Sequence, residues 1–270
     1  MRDLATLVGA CPRERFTACK CCGAQAVLAG SVDFNKTCIE VRGQGLPRLG
    51  LAVAYHFCLA CGFLFSRLCD GWTQEEFAGH IYNADYVKVD PDYLGSRPLN
   101  FAQTILQTFA SQGEHINFLD WGAGAGILAR RLKEAGFRRA EAYDPFATHG
   151  SPPEGPFNFL GCFEVLEHVV DPLATIRTLA RTLEPEGILL FSTLTLGINM
   201  ATAGLGWWYV APRNGHISIY SEDCLRNLMA GEGFQMAGLN GHLHLAWRTM
   251  PAFAAQALGI PTAASGTPQQ

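Results

Sequence analysis

The chain has 270 residues, 49% of them hydrophobic and 16% charged, with 29 glycines and a formal net charge of −4. That length suits one substantial core plus a small extra module, and the composition is that of a soluble globular protein. The acidic balance argues against nucleic acid as a partner, because such binding rests on Lys and Arg neutralising phosphates.

The first dozen residues, with Asp3 and no long apolar run, do not read as a secretory signal. Ten cysteines, eight of them before residue 70, read as reduced thiols and metal ligands rather than disulfides. Both features predict a cytoplasmic protein. From Phe16 to Cys69 short β-type runs accompany two knuckles, Cys19-Lys20-Cys21-Cys22-Gly23 and Cys58-Leu59-Ala60-Cys61-Gly62. Each knuckle can present two thiolates to one tetrahedral ion, and four thiolates suit structural zinc. Cys19, Cys22, Cys58 and Cys61 are the predicted Zn2+ ligands, with Cys21 an adjacent spare. Residues 16–70 thus form a zinc-ribbon-like module. So short a segment has little core of its own, and the metal is expected to supply much of its folding energy.

Residues 71–112 read as a helical linker or lid, interrupted by Asp90-Pro91-Asp92. Tyr82 and Tyr86, four apart, are expected on one helix face, as part of a lid or as ordinary aromatic packing. Strand–helix alternation follows over 113–250. Strands are predicted at 116–121, 140–144, 157–163 and 187–193, with helices at 127–136 and 172–183. The second helix opens on Asp171-Pro172, a cap followed by proline at the first helical position. Another helix starts at Ser221, with strand-like runs after it. This order predicts an α/β, Rossmann-like, doubly wound and mostly parallel sheet.

The uncharged stretch 187–212 is long enough to span a bilayer. Glycines at 197, 204 and 206 break it, so a buried strand followed by an apolar loop is the better reading, without membrane insertion. Residues 251–270, rich in Ala, Pro, Gly and Ser, are expected to be a disordered tail.

The main catalytic-domain signal is Asp120-Trp121-Gly122-Ala123-Gly124-Ala125-Gly126, where a strand gives way to a helix. Glycines there allow a tight turn and close approach of a ligand to the backbone, and the following helix start offers unpaired N–H groups. Eighteen residues past Gly126, Asp144 ends the next strand, where a carboxylate can accept from both hydroxyls of a ribose. The spacing is G-x-G-x-G, whereas a dinucleotide turn has G-x-G-x-x-G.

These residues, with 162–193 and the P-x-x-GHIS-x-YS pattern of 212–221, resemble the class I S-adenosylmethionine-dependent methyltransferases. The likeness is to a broad bacterial methyltransferase-domain family that includes relatives of ubiquinone-biosynthesis enzymes. The resemblance implies S-adenosylmethionine as cofactor. Asp120, Gly122, Gly124 and Gly126 would lie near its methionine part, Asp144 on the ribose, and Phe163 and Glu164 at its edge. Two departures stand out: Trp121 replaces a commoner small residue, and Asp144 and Phe157 are too close for a full helix plus strand. The usual third strand is therefore expected to be shortened or lost, leaving Pro145 and Phe146 as candidates to stack on adenine.

For a proton-bearing acceptor, a base must act beside the methyl group. His168 is the leading candidate, in the loop after the strand predicted at 157–163, and His216 the second; helix capping and packing are their structural alternatives. The knuckles also resemble zinc-binding segments that precede some sugar-modifying C-methyltransferases. The favoured acceptor is thus a small molecule or glycan. Competing readings are an RNA or protein methyltransferase that uses the zinc module to hold its substrate, and an inactive zinc-ribbon scaffold.

Overall fold

The computed structural model describes residues 1–146 and 153–260. After a short helix α1 (Leu4–Gly9), strands β1 (Phe16–Ala18), β2 (Gln25–Asp33), β3 (Ala52–Cys58) and β4 (Phe63–Phe65) form an antiparallel meander. Helices α2 (Gln74–His80), α3 (Tyr86–Val89) and α4 (Ser96–Phe109) follow. A capping box opens α2, in which Thr73 and Glu76 each satisfy the other's backbone N–H. The predicted break at 90–92 separates α3 from α4. A second break was not anticipated: α2 ends before Tyr82, so Tyr82 and Tyr86 do not share one helix. A turn over 83–85 separates them, yet their rings meet edge-on at 5.1 Å.

The α/β alternation then runs β5 (Asn117–Trp121), α5 (Ile127–Glu134), β6 (Arg139–Tyr143), β7 (Phe157–Phe163), α6 (Pro172–Thr182) and β8 (Leu183–Ser192). It continues through α7 (Ile198–Ala203), β9 (Ser218–Ile219), α8 (Glu222–Gly231), β10 (Gln235–Gly238), β11 (Leu243–Trp247) and α9 (Ala252–Ala257). Six of these strands make one sheet in the order β10-β11-β8-β7-β5-β6. The four from β8 to β6 are parallel, and β11 and β10 are antiparallel. This is the Rossmann-like sheet the sequence predicted. Among the described residues no strand lies beyond β6, in keeping with the short interval after Asp144.

Both faces of this sheet are covered, which explains the nearly continuous apolar runs of β7 and β8. Ala102, Ile105 and Phe109 of α4, Leu128 and Leu132 of α5, and Phe253 of α9 pack on one face. Ile176 and Leu179 of α6 and Leu225 and Leu228 of α8 pack on the other. The Asp171 side chain accepts from Ala174 N with Pro172 at the first turn, as read from the sequence.

One expectation is corrected by α9. A disordered tail does not begin at 251, because Phe253, Ala254 and Ala255 are buried on the sheet; residues 261–270 lie outside the described ones. Among the described residues, no helix is long and apolar enough to cross a membrane.

The cysteine segment has a core that it shares with residues late in the chain, a partnership the sequence did not reveal. β9 pairs with β4, Leu64 opposite Ile219 and Phe65 opposite Ser218, and completes a five-stranded sheet. Phe34, Val53, Tyr55 and Leu64 share a core with Trp207, Tyr209, Val210 and Ile217 from the connection between β8 and β9. Polar anchors reinforce it. Lys36 Nζ donates to the carbonyls of Trp207 (2.7 Å) and Val210 (2.6 Å), and Cys38 N donates to Asn214 Oδ1 (2.9 Å). The apolar loop read from 194–212 is thus the cover of this second sheet.

Candidate active site and cysteine centre

At the carboxyl ends of the parallel strands lies a cleft of about 840 Å3, the place where open α/β sheets bind ligands. The glycine turn forms its floor. Gly122 has φ +80°, and a Cβ there would meet Val165 Cγ2 at 2.3 Å, so no other residue fits without displacing Val165. Gly124 faces open space. Its N–H donates to Asp144 Oδ2 at 2.9 Å, while Phe146 N donates to Oδ1 at 2.8 Å, which fixes the carboxylate at the cleft edge. Asp120 is buried beneath the turn, and burial, followed by the charge of Asp144, pushes its carboxyl up to about 7.

The far end of β7 carries Phe163 and Glu164. Glu164 has φ +54°, the one positive value among the described non-glycine residues, a conformation that costs about 1–3 kcal/mol and concentrates at functional sites. Ser192 holds it there: its Oγ accepts from Glu164 N (2.9 Å) and donates to Glu164 Oε1 (2.7 Å). Facing the turn is an aromatic wall. Tyr82 packs on Phe146 at 4.9 Å between ring centroids, and Phe101 stacks on Phe163 at 4.2 Å.

Of the residues picked from the sequence, Asp120, Gly122, Gly124, Asp144, Pro145, Phe146, Phe163, Glu164, Tyr82, Tyr86 and His168 line this cleft. Gly126 and His216 do not. Gly126 starts α5 with φ +68° against Ala142, where a Cβ would come within 3.2 Å. His216 is buried one layer behind, with its ring 4.9 Å from that of His168. Sequence reasoning missed Asp90, Tyr93, Arg97 and Phe101, which also line the cleft. Arg97 forks onto Asp90 at 2.9 and 2.7 Å. It is the lone Lys or Arg between Lys88 and Arg130, a signal the helical pattern of the segment masked.

Behind His168 lies a polar cluster. One nitrogen from each of His168 and His216 and a carboxylate oxygen of Glu167 lie within 4.8 Å of one another. His216 Nδ1 is 2.8 Å from the Tyr209 carbonyl and must donate to it. Tyr209 Oη donates to Glu167 Oε1 at 2.7 Å. Glu167 Oε2 and His168 Nδ1 are buried without a partner. Burial, then the charge of Glu164, pushes the Glu167 carboxyl up to about 8, and burial pulls His168 down to about 4.

The second centre is the knuckle pair. The Sγ atoms of Cys19, Cys22, Cys58 and Cys61 lie within 4.8 Å of one another; Cys19–Cys61 is 3.7 Å and Cys22–Cys58 3.6 Å. A tetrahedral ion with bonds of about 2.3 Å to sulfur requires sulfur–sulfur edges of about 3.8 Å, so the set fits such an ion. Cys21 is not one of the four. Hydrogen bonding with Cys21 holds the Cys19 thiol below its ordinary range, while burial pushes Cys22 and Cys61 up. Gly23 (φ +74°) and Gly62 (φ +70°) close the knuckles by donating to the carbonyls of Cys19 and Cys58. The centre is tied to the six-stranded half as well: Ser221 Oγ donates to the Cys61 carbonyl (2.7 Å) and accepts from Cys224 N (3.0 Å) at the start of α8.

A family described as a methyltransferase domain matches residues 93–238. Among curated relatives, the ubiquinone biosynthesis O-methyltransferase of Aromatoleum aromaticum is 30% identical over 144 residues, 48% of this chain and 60% of that protein. The protein of the same description from Vibrio campbellii is 33% identical over 91 residues, 33% of this chain and 39% of its own length. The chain thus spans less than two thirds of the length of these relatives. A solved magnesium protoporphyrin IX methyltransferase from Synechocystis, with bound SAH, aligns at a TM-score of 0.42 and 18% identity, covering 56% of this chain and 83% of that one. Strand order, glycine turn and the match over more than half the sequence lead to one assignment: the chain belongs to the methyltransferase-domain family.

Proposed function

We propose that the chain is an S-adenosylmethionine-dependent methyltransferase acting on a hydroxyl of a small molecule, with structural zinc held by Cys19, Cys22, Cys58 and Cys61. The observation that carries this reading is the meeting, in one cleft, of the glycine turn and Asp144 with an aromatic wall and His168. When bound, S-adenosylmethionine supplies a methyl on a cationic sulfur, and its transfer leaves sulfur neutral. The turn and Asp144 position the nucleoside, with Asp144 facing the ribose and Pro145 and Phe146 beside the adenine. Asp120 offers a carboxylate to the cationic methionine end. Tyr82, Tyr86, Phe101 and Phe163 offer apolar surface to the acceptor and exclude water, so the entropic gain comes from alignment. His168, neutral around pH 7, accepts the hydroxyl proton. The zinc would serve folding alone, since four thiolates close its coordination shell.

Calorimetry with S-adenosylhomocysteine and transfer of radiolabelled methyl to a panel of phenols and sugars test this. Binding with transfer to a phenol is expected, and His168→Ala should preserve binding while lowering turnover about 100-fold or more. Absence of binding by the metal-loaded protein, or salt-sensitive binding of RNA in place of small acceptors, would overturn the reading.

A further inference from the structure

The cluster behind His168 has a feature the cleft alone does not require. Glu167 is 0% exposed, and a buried carboxyl with one oxygen unpaired is costly unless it has work to do. Tyr209 organises the cluster from two sides: its hydroxyl fixes one Glu167 oxygen, and its carbonyl fixes the His216 tautomer. Because His216 Nδ1 carries the proton, its Nε2 has a free lone pair in the neutral ring. Gly215, with φ +90°, brings the backbone so close that a Cβ would stand 3.0 Å from His168 Nδ1. His168 is therefore wedged between the cleft it lines and the Gly215 backbone beside its unpaired Nδ1, with one ring nitrogen within 4.8 Å of ligand atoms of Glu167 and His216.

We propose that Glu167, positioned by Tyr209 and His216, is the terminal acceptor of a proton relay that passes through His168. The inference rests on the reading of His168 as the base. As the acceptor oxygen bonds the methyl carbon, that carbon's bond to sulfur breaks and its electron pair stays on sulfur. The hydroxyl proton passes to one His168 nitrogen. The proton on the other ring nitrogen passes to the Glu167 carboxylate across one bridging water, since no hydrogen bond joins the two side chains directly, and gives a neutral acid. No net charge is left on the imidazole, which its burial would penalise. The arrangement follows the logic of a histidine oriented by a buried carboxylate, with the difference that here the carboxyl is the resting place of the proton. After product leaves, the same path returns the proton to the open cleft.

The sign of the pH dependence follows. Glu167 can accept only when ionised, so the relay is idle well below pH 8 and gains capacity as pH rises through about 8. The groups that interact with Glu167 include Glu164, Cys38, Cys162, Tyr82, Tyr209 and Tyr220; Asp90 and Arg97 act on His168. Burial lifts the thiols and phenols among them above their ordinary ranges, so none of these gives a competing step near pH 8.

The test is nitrogen-15 NMR of the histidine rings in the full-length, metal-loaded protein between pH 6 and 9.5. The His168 nitrogens are expected to shift in a step near pH 8 that is lost in Glu167→Gln. In Tyr209→Phe, which removes the donor that favours the carboxylate, the step should move upward. A step that persists in Glu167→Gln, or none in the wild type, overturns the relay. If Glu167→Gln does not fold, an unmoved step in Tyr209→Phe does so. A second bound metal ion beyond the cysteine centre would also overturn it, since an ion would take the free lone pairs. S-adenosylhomocysteine binding, measured on the same samples, separates failure of the relay from failure of the methyltransferase reading.

Discussion

The six-stranded sheet and the five-stranded sheet are assembled in different ways. In the first, β5 to β8 are joined by short connections or single helices, and each strand pairs with one close in sequence. In the second, a meander from the first quarter of the chain takes its edge strand β9 from the last quarter. The six-stranded half can therefore be read from local pattern, whereas the cysteine half depends on a partner far along the chain. Yet the two are not independent, because the connection between β8 and β9 covers the second sheet and, at Gly215, backs the His168 ring that lines the cleft.

This comparison can be broken most directly by removing the metal. Chelation, or Cys58→Ser, is expected to lower stability by several kcal/mol in a single calorimetric transition, because β4–β9 pairing and Ser221 couple the centre to α8. Two transitions, with the later one unmoved, would show that the cysteine half unfolds alone. Next in size, Gly122→Ala forces a side chain into a positive-φ site against Val165, a cost of roughly 2–3 kcal/mol. It should weaken S-adenosylhomocysteine binding by about 30-fold or more in calorimetry while metal content stays unchanged. A matching loss of metal would mean that the coupling also runs from cleft to knuckles. The smallest effect is expected for Ser221→Ala, which removes the cap of α8 and the bond to Cys61: about 1–2 kcal/mol by denaturant unfolding. No change would show that strand pairing alone joins the halves.

Legibility from sequence follows the same division. The glycine turn after a strand, the cap at Asp171, the helix start at Ser221 and the gathering of the four thiols are local signals with local causes, and the structure has each of them. The helix expected across Tyr82 and Tyr86 failed because a turn at 83–85 is compatible with the same aromatic spacing. The tail at 251 failed because Phe253 finds a sheet face that composition does not reveal. Asp90 and Arg97 were invisible as a pair, since their meeting depends on how α3 and α4 are set around one turn. The core of the cysteine half was missed for a like reason: Trp207, Tyr209 and Ile217 read as an apolar loop until Phe34 and Tyr55 are placed against them. Sequence does not report that one oxygen of Glu167 is buried without a partner.

Lys36 has a bearing on how such proteins can be recombined. Its ammonium, held between the carbonyls of Trp207 and Val210, makes the shape of the late connection conditional on a residue from the early one. A chimaera that exchanged the first 70 residues with those of a relative, but kept its own 194–217, would join two surfaces that were never fitted together. Its glycine turn would survive intact, and the strap carrying Gly215 and His216 would have lost its template. The natural unit of exchange is thus discontinuous: the cysteine segment travels with that strap.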